Sequence, residues 1–307
     1  MTSWLGWLGM LQVVAAAVLG VAWITDRMIG ARATAAQRRS MWALASLIVL
    51  SLPLARLAVP APTPRVPLVI AWVGVGVWAA GASVLLLRWA RGLASTRELI
   101  ARATPIHSGP WHRSLSAANT PLAVTLAHAQ GLPSPMLVGC LRPMILIPTE
   151  LAHAPASERR AVLSHELAHL ARADNLILQL AVLARAIYWV TPLAWWGLGR
   201  LTAEAENAAD DAVLEAGVPP TSYAAQLVAL ARAQLDRAGR VGAGQLRGRV
   251  EAILDVDRRR GVLAGQRPRL AFAHLLGVAV LLASLTSACE ARSDHRASSD
   301  APLVRSR

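Results

Sequence analysis

Two histidines and a glutamate crowd into one short stretch, residues 164–175, which reads SHELAHLARADN and contains His165, Glu166 and His169. On an α-helix, residues four apart share a face, with Cβ atoms about 5–6 Å from each other. His165 and His169 would then converge, and two neutral imidazoles at that spacing suit a tetrahedral zinc ion. Glu166 follows the first histidine and can reach a water in such a site. There it would serve as general base for attack on a peptide carbonyl. With 8 histidines in 307 residues, composition alone would produce this pattern only about 0.006 times per chain. The motif therefore outweighs a surface helix that happens to carry two histidines.

A catalytic zinc usually takes three protein ligands. Residues 201–214 read LTAEAENAADDAVL. Glu206 and Asp210 are four apart and share a helix face. Glu206 can complete a His-His-Glu set. Asp210 can accept a hydrogen bond from the far ring nitrogen of a ligand histidine and so fix its tautomer. Glu204 and Asp211 are close enough in sequence to be confused with this pair, and the acidic run by itself also fits a solvated helix face.

The pairing of ERRAVLSHELAHLARADN with EAENAADDAVL, behind PSPMLVGCLRPMILIP, resembles the BlaR/MecR-type membrane zinc metallopeptidases, metallopeptidase family 56. The resemblance covers residues 121–261 and the pattern of flanking spans. It implies a gluzincin-like zinc domain held between the third and fourth transmembrane helices. By position, His165 and His169 match the zinc histidines, Glu166 the catalytic base, Glu206 the third ligand and Asp210 the acidic residue four further on. The family often has cysteine just before that aspartate, where this chain has Ala209. The best-known members carry an extracellular penicillin-recognising domain after the fourth span. Here 18 residues follow Cys289, so such a sensor is not expected. The implied function is a signalling protease acting on a cytoplasmic regulator such as a transcriptional repressor. A membrane-protein quality-control protease and a non-catalytic signalling adaptor are the alternatives. Structural zinc is usually closed by four ligands, often cysteines. Cys140 is the only thiol between the third and fourth spans, and Glu166 is present, which favours catalysis.

The elements that must position these residues are read from composition and charge. Mean hydropathy is +0.43, 55% of residues are hydrophobic and 16% are charged, which is too apolar for an ordinary soluble domain. The net charge is +13 and all 31 basic residues are arginines. They cluster beside apolar stretches, as membrane topology requires, and no nucleic-acid recognition motif accompanies them, so direct nucleic-acid binding is not expected. Cys140 and Cys289 fall in different regions and suit two small buried or interfacial thiols rather than a disulfide.

Uncharged runs at 4–25, 40–55 (continuing to 60) and 66–87 read as three spans, and 270–289 as a fourth. Arginines at 27, 32, 38 and 39, and at 88, 91, 97 and 102, mark the cytoplasmic side. The expected organisation is a three-helix transmembrane region at 1–90, a cytoplasmic zinc metallopeptidase domain at 91–269, a fourth transmembrane helix at 270–289 and a disordered extracytoplasmic tail at 290–307. Both termini lie outside an inner (cell) membrane. Within the domain, short apolar runs at 121–148 read as a hairpin or small sheet. Residues 158–173 read as the zinc helix. Helices at 222–237 and 245–258 carry arginines that read as solvated faces or lipid-headgroup contacts. Tyr223, His107, His112, His128 and His153 are each conceivable transition-state donors.

Residues 175–199 are apolar enough to be taken for a span. A complete crossing would put His165 and Glu206 on opposite faces of the membrane, where they could not share one ion. The segment is therefore expected to be two membrane-associated helices, dipping into or lying against the inner leaflet and bent near Thr191 and Pro192. The fold class is a mainly α membrane protein with four transmembrane helices and an α+β metallopeptidase domain. Its partners are the lipid bilayer and a protein or peptide substrate.

Overall fold

The computed structural model describes residues 2–57, 67–118, 120, 123–238 and 243–261. It is mainly helical with one small mixed sheet. The first helix, α1, spans Thr2–Ile29, and a 3-10 turn at Gly30–Arg32 leads into α2, Ala35–Ser51. Thr34 opens α2 reciprocally: its hydroxyl accepts from the Gln37 amide, and the Gln37 side chain accepts from the Thr34 amide. Two donors that a helix start leaves without partners are satisfied in this way. A second 3-10 segment, Leu52–Leu57, follows, and α3 runs over Leu68–Arg102.

Among the described residues, Gly6–Ile29 of α1 and Trp72–Arg102 of α3 are long and apolar enough to cross a membrane. The second expected span falls on α2, whose 17 residues are fewer than the about 20 that a hydrocarbon core of about 30 Å asks for. Met41, Trp42, Ala45 and Val49 of this helix are buried in a core shared with α1 and the later helices. The expected fourth span at 270–289, the tail at 290–307 and most of the connection after α2 lie outside the described residues.

The apolar segment at 175–199 folds back on itself. It forms α6, Asp174–Ile187, and the start of α7, Pro192–Glu215, which begins at the proline expected to bend it. Their turn meets the middle of α1 and α3. The end of α6 leaves the Ile187 carbonyl without a helical partner, and it accepts from the Gln12 side chain at 3.3 Å and from the Trp78 indole at 2.8 Å. Thr191 donates to Gln12 at 3.1 Å, and Trp189 donates to the Trp78 carbonyl at 3.0 Å. A Cβ at Gly81 would overlap the Trp189 ring, so the close approach of α3 depends on that glycine. Arg185 lies over the Trp195 ring at 4.5 Å, a favourable place for a cation among apolar helices.

The small sheet expected from the short apolar runs has four strands: β1 (Thr104–Pro105), β2 (Thr125–Ala129), β3 (Met136–Val138) and β4 (Met144–Pro148), in the order β1-β2-β4-β3. The inner pair, β2 and β4, is parallel, with Leu126 opposite Ile145, and the two edge strands are antiparallel to their neighbours. Alternation along β4 sends side chains to both faces. Ile145 and Ile147 pack with Trp111 of α4 (Gly109–Ala117) and with Val162 and Leu163 of α5 (Ala156–Ala171), while Leu146 packs toward Leu99 and Ile100 of α3. Cys140, in the β3–β4 turn, is exposed; a short turn carries it off the sheet, so of the two settings expected, buried or interfacial, it is not buried.

The α5 and α6 helices meet at a bend of 57°. Ala173 makes the bend in a left-handed conformation, φ 51° and ψ 37°, the one positive φ outside glycine among the described residues. That conformation costs a non-glycine residue about 1–2 kcal/mol. Ala173→Gly is therefore expected to hold or raise the melting temperature of the purified chain, and Ala173→Val to lower it, as measured by thermal unfolding. Beyond α7, helices α8 (Pro220–Ala238) and α9 (Ala243–Leu254) close a third core in which Ala161, Val213, Tyr223 and Ile253 are buried together.

Candidate metal centre

His165 and His169 lie one turn apart on α5, their Nε2 atoms 3.2 Å from each other. The α7 helix returns from the hairpin turn and packs on α5. It brings Glu206 to both imidazoles, Oε2 at 3.6 Å from His165 Nε2 and Oε1 at 3.6 Å from His169 Nε2. Bonds of about 2.0–2.1 Å in a tetrahedron separate ligand atoms by about 3.3–3.4 Å, close to these spacings. Two imidazoles and one carboxylate, facing a cleft of about 390 Å³, therefore fit a divalent ion. Glu166 is 6% exposed and lines the same cleft.

Each histidine turns its outer nitrogen to a carboxylate. His165 Nδ1 is 3.2 Å from Asp210 Oδ1 and 3.1 Å from the Tyr223 hydroxyl oxygen, and that hydroxyl donates to Asp210 at 2.7 Å. His169 Nδ1 is 2.8 Å from Asp174 Oδ2. A proton on Nδ1 leaves the Nε2 lone pair for a metal. Asp174 is legible in the sequence only as a charge bounding the helix. Five residues past His169, it misses the i+4 position of a continuous helix, and the break at Ala173 turns it back.

The four acids of the run on α7 take different surroundings. Glu206 and Asp210 face the site. Glu204, 2% exposed, pairs with Arg38 at 3.0 Å and Arg200 at 2.8 Å, and Arg200 also reaches Asp26 at 3.0 Å. Asp211 faces Arg258 and Arg260 at 3.9 and 3.7 Å. The α9 helix supplies Arg249, which donates to both Asp210 oxygens at 2.8 and 2.7 Å and sits 3.0 Å from Glu206 Oε2. No local pattern marks Arg249 out from the arginines read as solvated faces; only the packing of α9 on α7 brings it here.

Burial disfavours a charged imidazole at His165, but Asp210 and Glu206 beside it prevail and hold it up to about 10. Burial likewise opposes ionisation of Glu206, but His165 and Arg249 hold it down to about 2. Burial, reinforced by Asp210, pushes the Tyr223 phenol up, so it remains a donor. A metal must displace the His165 proton, whereas Glu206 is already ionised. Metal affinity is thus expected to rise with pH, by about tenfold per unit between roughly pH 6 and 8 for one displaced proton. Proton release on metal titration in buffers of different ionisation enthalpy measures this; no release at pH 7 would contradict it.

The cleft is bordered by the edge strand β3, through Met136 and Leu137, and by Leu178, Leu227 and Leu230. A family model described as BlaR1 peptidase M56 matches residues 2–253 of the chain. Among curated proteins, the regulatory protein BlaR1 of Bacillus licheniformis is 36% identical over 92 residues, which make up 30% of this chain and 15% of that protein. The chain thus covers a small part of the length of the relative it matches.

Proposed function

Because the chain belongs to the BlaR1 peptidase M56 family, we propose that it is a membrane-bound zinc endopeptidase that signals by cutting a cytoplasmic regulator, such as a transcriptional repressor. The observation that carries this reading is the meeting of His165, His169 and Glu206 beside Glu166, although an apolar hairpin separates the two helices that supply them. His165, His169 and Glu206 would hold the zinc, which would supply a Lewis acid for the scissile carbonyl and the attacking water. Glu166 takes the proton of the attacking water and returns it to the leaving amine. Asp210 and Tyr223 keep the His165 proton on Nδ1. Substrate main chain adds to the free edge of β3, which gives affinity with little side-chain selectivity.

The arginines that follow α1 and the apolar part of α3 favour a site on the cytoplasmic side. The N-terminus is then outside, and the α6–α7 hairpin enters the inner leaflet from the cytoplasmic face, its freed backbone groups satisfied by Gln12 and Trp78. The name of the matched relative, a regulatory protein, favours signalling over membrane-protein quality control. Comparison of the proteomes of cells carrying the unaltered chain and Glu166→Ala tests the reading. A protein cut only in the former identifies the substrate; identical cleavage patterns contradict proteolysis.

A further inference from the structure

We infer that Arg39 is a positioning residue for the metal centre, acting on His169 through Asp174, so that α2 forms part of the site. The inference rests on the zinc reading above. Asp174 is 1% exposed and divides its oxygens between partners. Its Oδ2 faces His169 Nδ1 at 2.8 Å and accepts from Arg172 at 2.8 and 3.1 Å. Its Oδ1 meets Arg39 Nη2 at 2.6 Å. Arg39, 7% exposed, comes from α2 and also donates to the Arg172 carbonyl at 2.8 Å. It therefore grips both sides of the strained Ala173.

A buried carboxylate held by one side only is free to turn about its Cβ–Cγ bond. Arg172 does not prevent this alone, because it reaches the same Oδ2 that faces His169 and leaves Oδ1 to Arg39. Arg39 fixes the second oxygen, which keeps the first aimed at His169 and the imidazole lone pair aimed into the site. The adjacent Arg38 serves a different purpose, pairing with Glu204 away from the histidines. Through this one arginine, α2 becomes part of the support of the metal centre.

The test is zinc affinity of the full chain in detergent micelles, read by competition with a chromophoric chelator, with thermal unfolding of the zinc-free protein alongside. Arg39→Gln and Asp174→Asn are each expected to weaken zinc binding by about 10–100-fold, as loss of an outer partner of a ligand does. The double variant is expected to bind no more weakly than Asp174→Asn alone, since both changes act through one carboxylate. Arg39→Lys is expected to recover part of the loss, and Arg38→Gln to leave affinity unchanged. Unaltered affinity in a folded Arg39→Gln chain, or additive losses in the double variant, overturns the inference. Where Arg39→Gln does not fold, Arg39→Lys decides: affinity several-fold below that of the unaltered chain supports the inference, and equal affinity overturns it. If the unaltered chain takes up no zinc, the metal reading falls and this inference with it. If it takes up zinc and Arg39→Gln binds as tightly, this inference alone falls.

Discussion

Glu166→Gln is expected to lower kcat for peptide cleavage by about 10²–10⁴-fold, the range that a positioned general base contributes, while leaving the bound zinc in place. Glu166 lines the cleft beside His165 but lies outside the group of His165, His169 and Glu206 whose donor atoms converge. The substitution keeps size and shape and removes only the ability to take a proton. Two measurements on one preparation decide the matter: turnover of a substrate identified by the proteome comparison, and metal content. Lost turnover with full metal content assigns Glu166 to proton transfer. Full turnover removes Glu166 from proton transfer. Loss of metal together with activity makes Glu166 part of the scaffold.

The second large effect separates two glutamates that stand two residues apart. Glu206→Ala removes the proposed third ligand and is expected to weaken zinc binding by more than the 10–100-fold typical of outer partners, with little change in the melting temperature of the zinc-free protein. Its side chain is 33% exposed and its ion partner Arg249 keeps Asp210. Glu204→Ala is expected to do the reverse. Glu204 is buried between Arg38 and Arg200; Arg200 keeps Asp26, but Arg38 is left without a carboxylate, and breaking a buried ion pair costs about 3–5 kcal/mol. The folded fraction should still bind zinc normally. Chelator competition and thermal unfolding, run on both variants, check the pair. Equal zinc affinities for the two variants would remove Glu206 from the ligand set.

What the sequence by itself determined here is the chemistry carried by short spacings. His165, Glu166 and His169 lie within one turn and a half of a single helix, so helical periodicity alone puts the two imidazoles together. The same rule pairs Glu206 with Asp210 on one face. The return of the 175–199 segment was also legible, because residues expected to share one ion must lie on one side of a membrane; the segment does fold back, at a turn whose free carbonyl is satisfied by Gln12 and Trp78.

Only the tertiary structure decided which acids of the run at 204–211 face the histidines, because a helix face is defined by what packs against it. Only the tertiary structure placed Asp174 on His169, through a left-handed residue that no periodicity announces. Arg39 and Arg249 reach the site from helices distant in sequence, and their local surroundings read like those of many other arginines in the chain. Spacing encodes contacts within one helix, whereas contacts between helices depend on how the apolar faces of α2, α7 and α9 bury one another, and that is settled only when the whole chain folds.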